Sequence, residues 1–91
     1  MPVEWQGDHK LLGDDKAKFE QELKRLGFNP DDFLVEVRRE ADVEGAAGGD
    51  AFRYNVFISD VAHPEHETCK LHGGNGKDWI GQYGKIVMRH R

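Results

Sequence analysis

Residues 77–91 read Lys77-Asp78-Trp79-Ile80-Gly81-Gln82-Tyr83-Gly84-Lys85-Ile86-Val87-Met88-Arg89-His90-Arg91. Wound at about 100° per residue, Trp79, Ile80, Tyr83, Ile86, Val87 and His90 fall within about 120° of arc. Lys77, Lys85, Arg89 and Arg91 fall on the other side. The arc predicts an amphipathic helix. Gly81 and Gly84 oppose it, at about 1 kcal/mol each. The rival is a short helical turn ending at Gly84, followed by a fourth strand over 85–90. The arc decides for the helix, and the placement of every basic side chain nearby depends on that decision.

Working upstream, Gly73-Gly74-Asn75-Gly76 predicts a turn. Before it, Glu67, Cys69 and Leu71 alternate with Thr68, Lys70 and His72. That is strand periodicity, with Cys69 and Leu71 inward. His63-Pro64-Glu65-His66 interrupts the pattern. Phe52, Tyr54, Val56 and Ile58 alternate with Arg53, Asn55 and Phe57, which predicts another strand. So do Phe33, Val35 and Val37 against Leu34, Glu36 and Arg38. The Gly- and Ala-rich stretch from Asp42 to Asp50 joins these two strands. It is too short for a helical crossover, so they should pair antiparallel.

Asn29-Pro30-Asp31-Asp32 is a turn. Phe19, Leu23 and Leu26 form one helical stripe, and Asp14 or Asp15 offers an N-cap. Gly27 followed by Phe28 suits a left-handed helix stop. A helix is expected over about residues 15–26. Residues 1–12 read as an irregular N-terminal arm anchored by Trp5, and 13–91 as a single small α+β domain. The expected order is α-β-β-β-α, a three-stranded antiparallel sheet with two helices on one face. The expected core is Phe19, Leu23, Leu26, Phe28, Val35, Val37, Phe52, Tyr54, Val56, Ile58, Leu71, Trp79 and Tyr83. Phe57 points to the other sheet face. Either Trp5 of the arm or a second copy in a homo-oligomer could cover it.

Composition bounds the function. The chain has 91 residues, 33% of them charged and 37% hydrophobic, with nine aromatics. That supports one modest core and argues against disorder. No apolar run approaches the roughly 20 residues of a membrane span, so no membrane partner is expected. The first residues lack the apolar stretch of a secretory signal. One cysteine, Cys69, cannot form an internal disulfide, which makes a cytoplasmic location the default expectation. The net charge of −4 is uneven: residues 1–50 carry 13 acids and 7 Lys/Arg, residues 51–91 carry 4 and 6. An anionic partner should prefer the C-terminal part.

Four features could carry chemistry. His63, His66, Cys69 and His72 are potential zinc ligands at intervals of three. That spacing does not make a local site, because strand residues three apart face opposite ways. No other cofactor is indicated. Cys69 as a nucleophile needs a neighbouring base, and its inward position turns it from His66 and His72. Gly74, Asn75, Gly76 and Lys77 could present backbone N–H groups and an ammonium to an anion. The phosphate-loop pattern fails there, since Asp78 stands where serine or threonine is required. Finally Lys77, Lys85 and Arg89 belong to the only clearly basic stretch. The order α-β-β-β-α, with Lys77 opening the last helix, is similar to that of double-stranded-RNA-binding domains. That likeness of element order implies phosphate contacts at the helix opening. The family's lysine run is reduced here to Lys77, followed by Asp78 and Trp79. The expectation is a small non-enzymatic binding or regulatory module contacting a nucleic-acid backbone or an acidic protein surface through residues 72–91. Its alternative is a metal-binding protein.

Overall fold

In a computed structural model, residues 2–40, 53–74 and 77–90 are described. The C-terminal stretch is helical: α2 runs Trp79–His90. Its two glycines cost about 2 kcal/mol together. Burial of Trp79 and Tyr83, 1% and 3% exposed, outweighs that cost, since each such ring hides about 150–250 Å² at roughly 25 cal/mol per Å². No strand forms over 85–90.

The other elements, in chain order, are β1 (Glu4–Gly7), α1 (Asp15–Arg25), β2 (Phe33–Arg39), β3 (Arg53–Asp60) and β4 (Cys69–Gly74). A 3-10 turn at His9–Leu12 precedes α1, and another at Pro30–Asp32 leads into β2. The sheet has four strands in the order β1-β2-β3-β4. Strands β2, β3 and β4 form an antiparallel meander, with Val35 opposite Ile58 and Val56 opposite Leu71. Strand β1 lies parallel to β2, with Trp5 opposite Val35. The molecule is therefore an α+β domain of two helices and a four-stranded mixed sheet. The expected three-stranded antiparallel sheet is corrected by one strand. It comes from the N-terminus, where Val3 and Trp5 alternate with Glu4 and Gln6, and residues 4–12 are not irregular. The observed order is β-α-β-β-β-α, so the likeness in order to double-stranded-RNA-binding domains ends at β1.

The stop of α1 follows its sequence. Gly27 has φ 89°, Phe28 N–H donates to Leu23 O at 2.8 Å, and Gly27 N–H to Lys24 O at 3.1 Å. This is the Schellman pattern. Its start differs, because Asp14 occupies the cap position without a side-chain cap bond. Gly73 and Gly74 lie in β4 and not in a turn. The Tyr54 ring packs directly over its cross-strand partner Gly73.

Both helices cover one sheet face. Phe19 of α1 lies with its ring centroid 5.1 Å from those of Trp79 and Tyr83. Around it are buried Leu23, Val35, Val37, Tyr54, Val56, Ile58 and Leu71. Val3, Leu12 and Phe33 join this core, and Phe28 packs at its margin. Leu26 is buried as expected. Phe52 lies outside the described residues. Trp5 packs edge-on against Phe19, centroids 5.8 Å apart, and its Nε1–H donates to Glu20 Oε1 at 3.2 Å. It is docked on the helix side and does not cover the second sheet face. No helix among the described residues is long and apolar enough to cross a membrane.

Candidate functional site

The opening of α2 is occupied by the chain's own carboxylate. Asp78 Oδ1 accepts from Gly81 N–H at 2.8 Å, as an N-cap aspartate does. Gly81 fits because a Cβ there would collide with that carboxylate. Lys77 N–H is bonded to Gly74 O at 3.1 Å. An anion at the proposed loop would thus meet a fixed negative charge at the helix terminus. Asn75 and Gly76 lie outside the described residues.

The basic side chains separate. Lys70 and His72 are exposed and alternate with the buried Leu71 and Gly73, so they belong to the open sheet face. Lys85 and Arg89 are exposed on α2, with Met88, 59% exposed, beside Arg89. On the open face the Arg38 guanidinium stands 4.9 Å from the Phe57 ring centroid, and the Lys70 ammonium 5.9 Å. These long side chains shield Phe57, the one Phe, Tyr or Trp there among the described residues.

The four metal-ligand candidates do not converge on one point. His63 and His66 stack, with centroids 5.3 Å apart. Cys69 is half-buried, and His72 sits on the opposite side of the sheet. Among the described residues no group of three or more His, Cys, Asp or Glu side chains is placed to hold a metal ion. The Cys69 thiol lies 3.9 Å from Glu67 O. Burial, with the Glu67 charge second, pushes this thiol above its ordinary range. A raised thiol is a poor nucleophile at neutral pH.

What the sequence did not disclose is a cleft of about 550 Å³ beside α2. Its inner wall is aromatic and aliphatic: Phe28, Phe33, Ile58, Tyr83, Ile86 and Val87. Phe28 meets Phe33 edge to face at 5.7 Å, and Phe33 meets Tyr83 the same way at 6.3 Å. Its polar side is Asp60, the connection His63, Glu65, His66, Glu67 and Thr68, and then Cys69. Asp60 Oδ1 accepts from Ala62 N–H at 3.0 Å, which turns the chain out of β3. His63 Nδ1 stands 3.5 Å from Glu65 Oε1. The Glu65 carboxyl is held below its ordinary range, first by its own backbone N–H; His63 and His66 add to this, against desolvation. Burial pushes the Tyr83 phenol well up, helped by the charges of Cys69 and Asp60. Of the expected site residues, His63, His66 and Cys69 therefore share this cleft, while Lys77, Lys85 and Arg89 do not line it. Its builders Phe28, Asp60, Tyr83 and Ile86 are scattered along the chain, and only the inward arc of α2 hinted at one wall.

Compared with known proteins, the chain matches no protein-family model, no curated protein and no solved structure.

Proposed function

We propose that this chain is a small binding module, not an enzyme, and that it receives its ligand in the cleft between α2 and the connection from β3 to β4. The observation that carries this reading is the cleft itself. Its volume, about 550 Å³, falls within the range of about 300–1,000 Å³ of small-molecule sites, and an apolar wall with a few convergent polar groups is their usual chemistry. The contact region expected in residues 72–91 is kept in part: the recognition element is α2, acting through its apolar flank. A fragment titration followed by amide and methyl chemical shifts tests the reading. Saturable shifts should gather at Cys69, Tyr83, Ile86 and Val87. A set of apolar fragments that leaves these four unmoved would remove it.

A second reading concerns the outer side of α2. Met88 is 59% exposed and lies within a turn of Lys85 and Arg89, an arrangement suited to an acidic partner. Short nucleic-acid duplexes and an acidic peptide, each titrated at two salt concentrations, distinguish the partner classes. Contact with a nucleic-acid backbone predicts shifts at Lys85 and Arg89 that fade steeply with salt. No shift at low salt with either probe removes this reading.

A further inference from the structure

The cleft combines features that point to the charge of its occupant. Its lining holds three carboxylates, Asp60, Glu65 and Glu67, and neither lysine nor arginine. An anionic ligand would enter against all three. Opposite them stand the rings of Phe28, Phe33 and Tyr83, joined edge to face. Aromatic faces attract cations as well as apolar bodies. A third observation is independent of both. Tyr83 is 3% exposed as a residue, its hydroxyl makes no hydrogen bond to the described residues, and it shares the cleft wall with Asp60 and Cys69. Tyr83 lines the cleft and its hydroxyl is open to water there, so an occupant that covers it has to replace that hydration. A neutral apolar ligand would strip water from this oxygen and leave it unmatched. An N–H donor would satisfy it.

Resting on the reading of the cleft as a ligand site, we infer that its occupant is a small organic cation, a primary ammonium on an aryl or alkyl body. The body lies against Phe28, Phe33 and Ile86, and the ammonium lies between the Tyr83 hydroxyl and the Asp60 carboxylate. Asp60 Oδ1 is engaged with Ala62 N–H, so Oδ2 is the atom offered to the cation. A charge-assisted hydrogen bond is stronger than a neutral one, which is why the ammonium, and not an uncharged hydroxyl, gains most from this place.

The test uses the full chain and three probes of similar shape: 2-phenylethylammonium, 2-phenylethanol and 3-phenylpropanoate. Affinities are read from chemical shifts at Tyr83 and Cys69 at neutral pH and low salt. The ammonium should bind about tenfold more tightly than the alcohol, the size of one charge-assisted bond, and the carboxylate should be weakest. Asp60→Asn should lower the ammonium's affinity by about tenfold and leave the alcohol unchanged. The asparagine oxygen can still accept from Ala62 N–H, so the turn is kept. Tyr83→Phe, which breaks no hydrogen bond among the described residues, should lower the ammonium's affinity severalfold. Alcohol or carboxylate binding as tightly as the ammonium would overturn the inference while leaving the cleft a ligand site. So would an Asp60→Asn variant with unchanged ammonium affinity. Absence of saturable shifts with all three probes would overturn both.

Discussion

The two faces of the sheet are built from the same strands and held by different physics. Toward the helices, Phe33, Val35, Val37, Tyr54, Val56, Ile58 and Leu71 are all buried, at 4% exposure or less. Toward the open side, Leu34, Glu36, Asn55 and Phe57 are half-buried, and Arg38, Lys70 and His72 are exposed. There the contacts include an Arg38–Glu36 pair at 2.9 Å, a hydrogen bond from Asn55 Nδ2–H to Glu40 Oε1 at 2.8 Å and two cations leaning on Phe57. One face excludes water by packing and the other only shades an aromatic with long side chains. The covered face should therefore carry the stability. Phe19→Ala, at a fully buried ring, should cost about 3–5 kcal/mol. Phe57→Ala removes the same side chain from the open face and should cost about 1 kcal/mol. Urea unfolding of both variants measures the gap, and equal losses would break the contrast.

Room differs between the faces as well. A Cβ at Gly73 would drive into the Tyr54 ring, so Gly73→Ala should cost about 1–3 kcal/mol through overpacking. Its neighbour His72 points to the open side, and His72→Ala should stay within about 0.5 kcal/mol. Thermal unfolding of the pair would sharpen the comparison over a single step along β4. Equal midpoints would mean that Tyr54 swings aside and that the covered face is less tightly filled than it looks.

The titration of the covered side gives a third contrast. Burial raises the phenols of Tyr54 and Tyr83 and the thiol of Cys69. A group whose folded pKa lies above its unfolded value holds its proton more tightly when folded. Its contribution is fully present below the unfolded value and is lost as pH rises through the folded one. The unfolded values are near 9.0 for the thiol and 10.0 for the phenols. The urea midpoint should thus fall above about pH 9, and the fall should be shallower in Tyr83→Phe. An unchanged slope in that variant would show that the phenol is better hydrated than its burial implies.

The same division explains what the sequence disclosed. Elements whose buried side is written in one short stretch were legible. The Phe19-Leu23-Leu26 stripe with Gly27 predicted α1 and its stop. Strict alternation predicted β2 and β3, and the arc of Trp79, Tyr83 and Val87 predicted α2. Strand β1 was missed because Val3 and Trp5 give only two alternations, and its partner Leu34-Val35-Glu36-Val37 lies about 30 residues away. Gly73-Gly74 looked like a turn because the ring that fills the gap belongs to another strand. The cleft was least legible. Phe28, Asp60, Cys69 and Ile86 meet only because the connection after β3 comes back beside α2, and no local periodicity encodes that meeting. What was visible, the His63-His66-Cys69-His72 spacing, is divided by the strand alternation that places His72 on the opposite face.

The smallest effect belongs to the shading of Phe57. Arg38 reaches both the ring and Glu36, so removing it alone mixes two interactions. A double-mutant cycle of Arg38→Ala with Phe57→Leu, repeated on a Glu36→Gln background, separates them. The Arg38–Phe57 coupling should be about 0.5–1 kcal/mol, the size of a cation over an exposed ring. It should survive the loss of the Glu36 charge, because the guanidinium is held against the ring by its own aliphatic stem as well as by the carboxylate. Lys70, 5.9 Å from the centroid and on the neighbouring strand, should couple more weakly. If the Arg38 coupling vanishes with Glu36→Gln, the carboxylate is what orients the cation. The open face would then be shaded by a charge network and not by a ring contact, and high salt should expose Phe57.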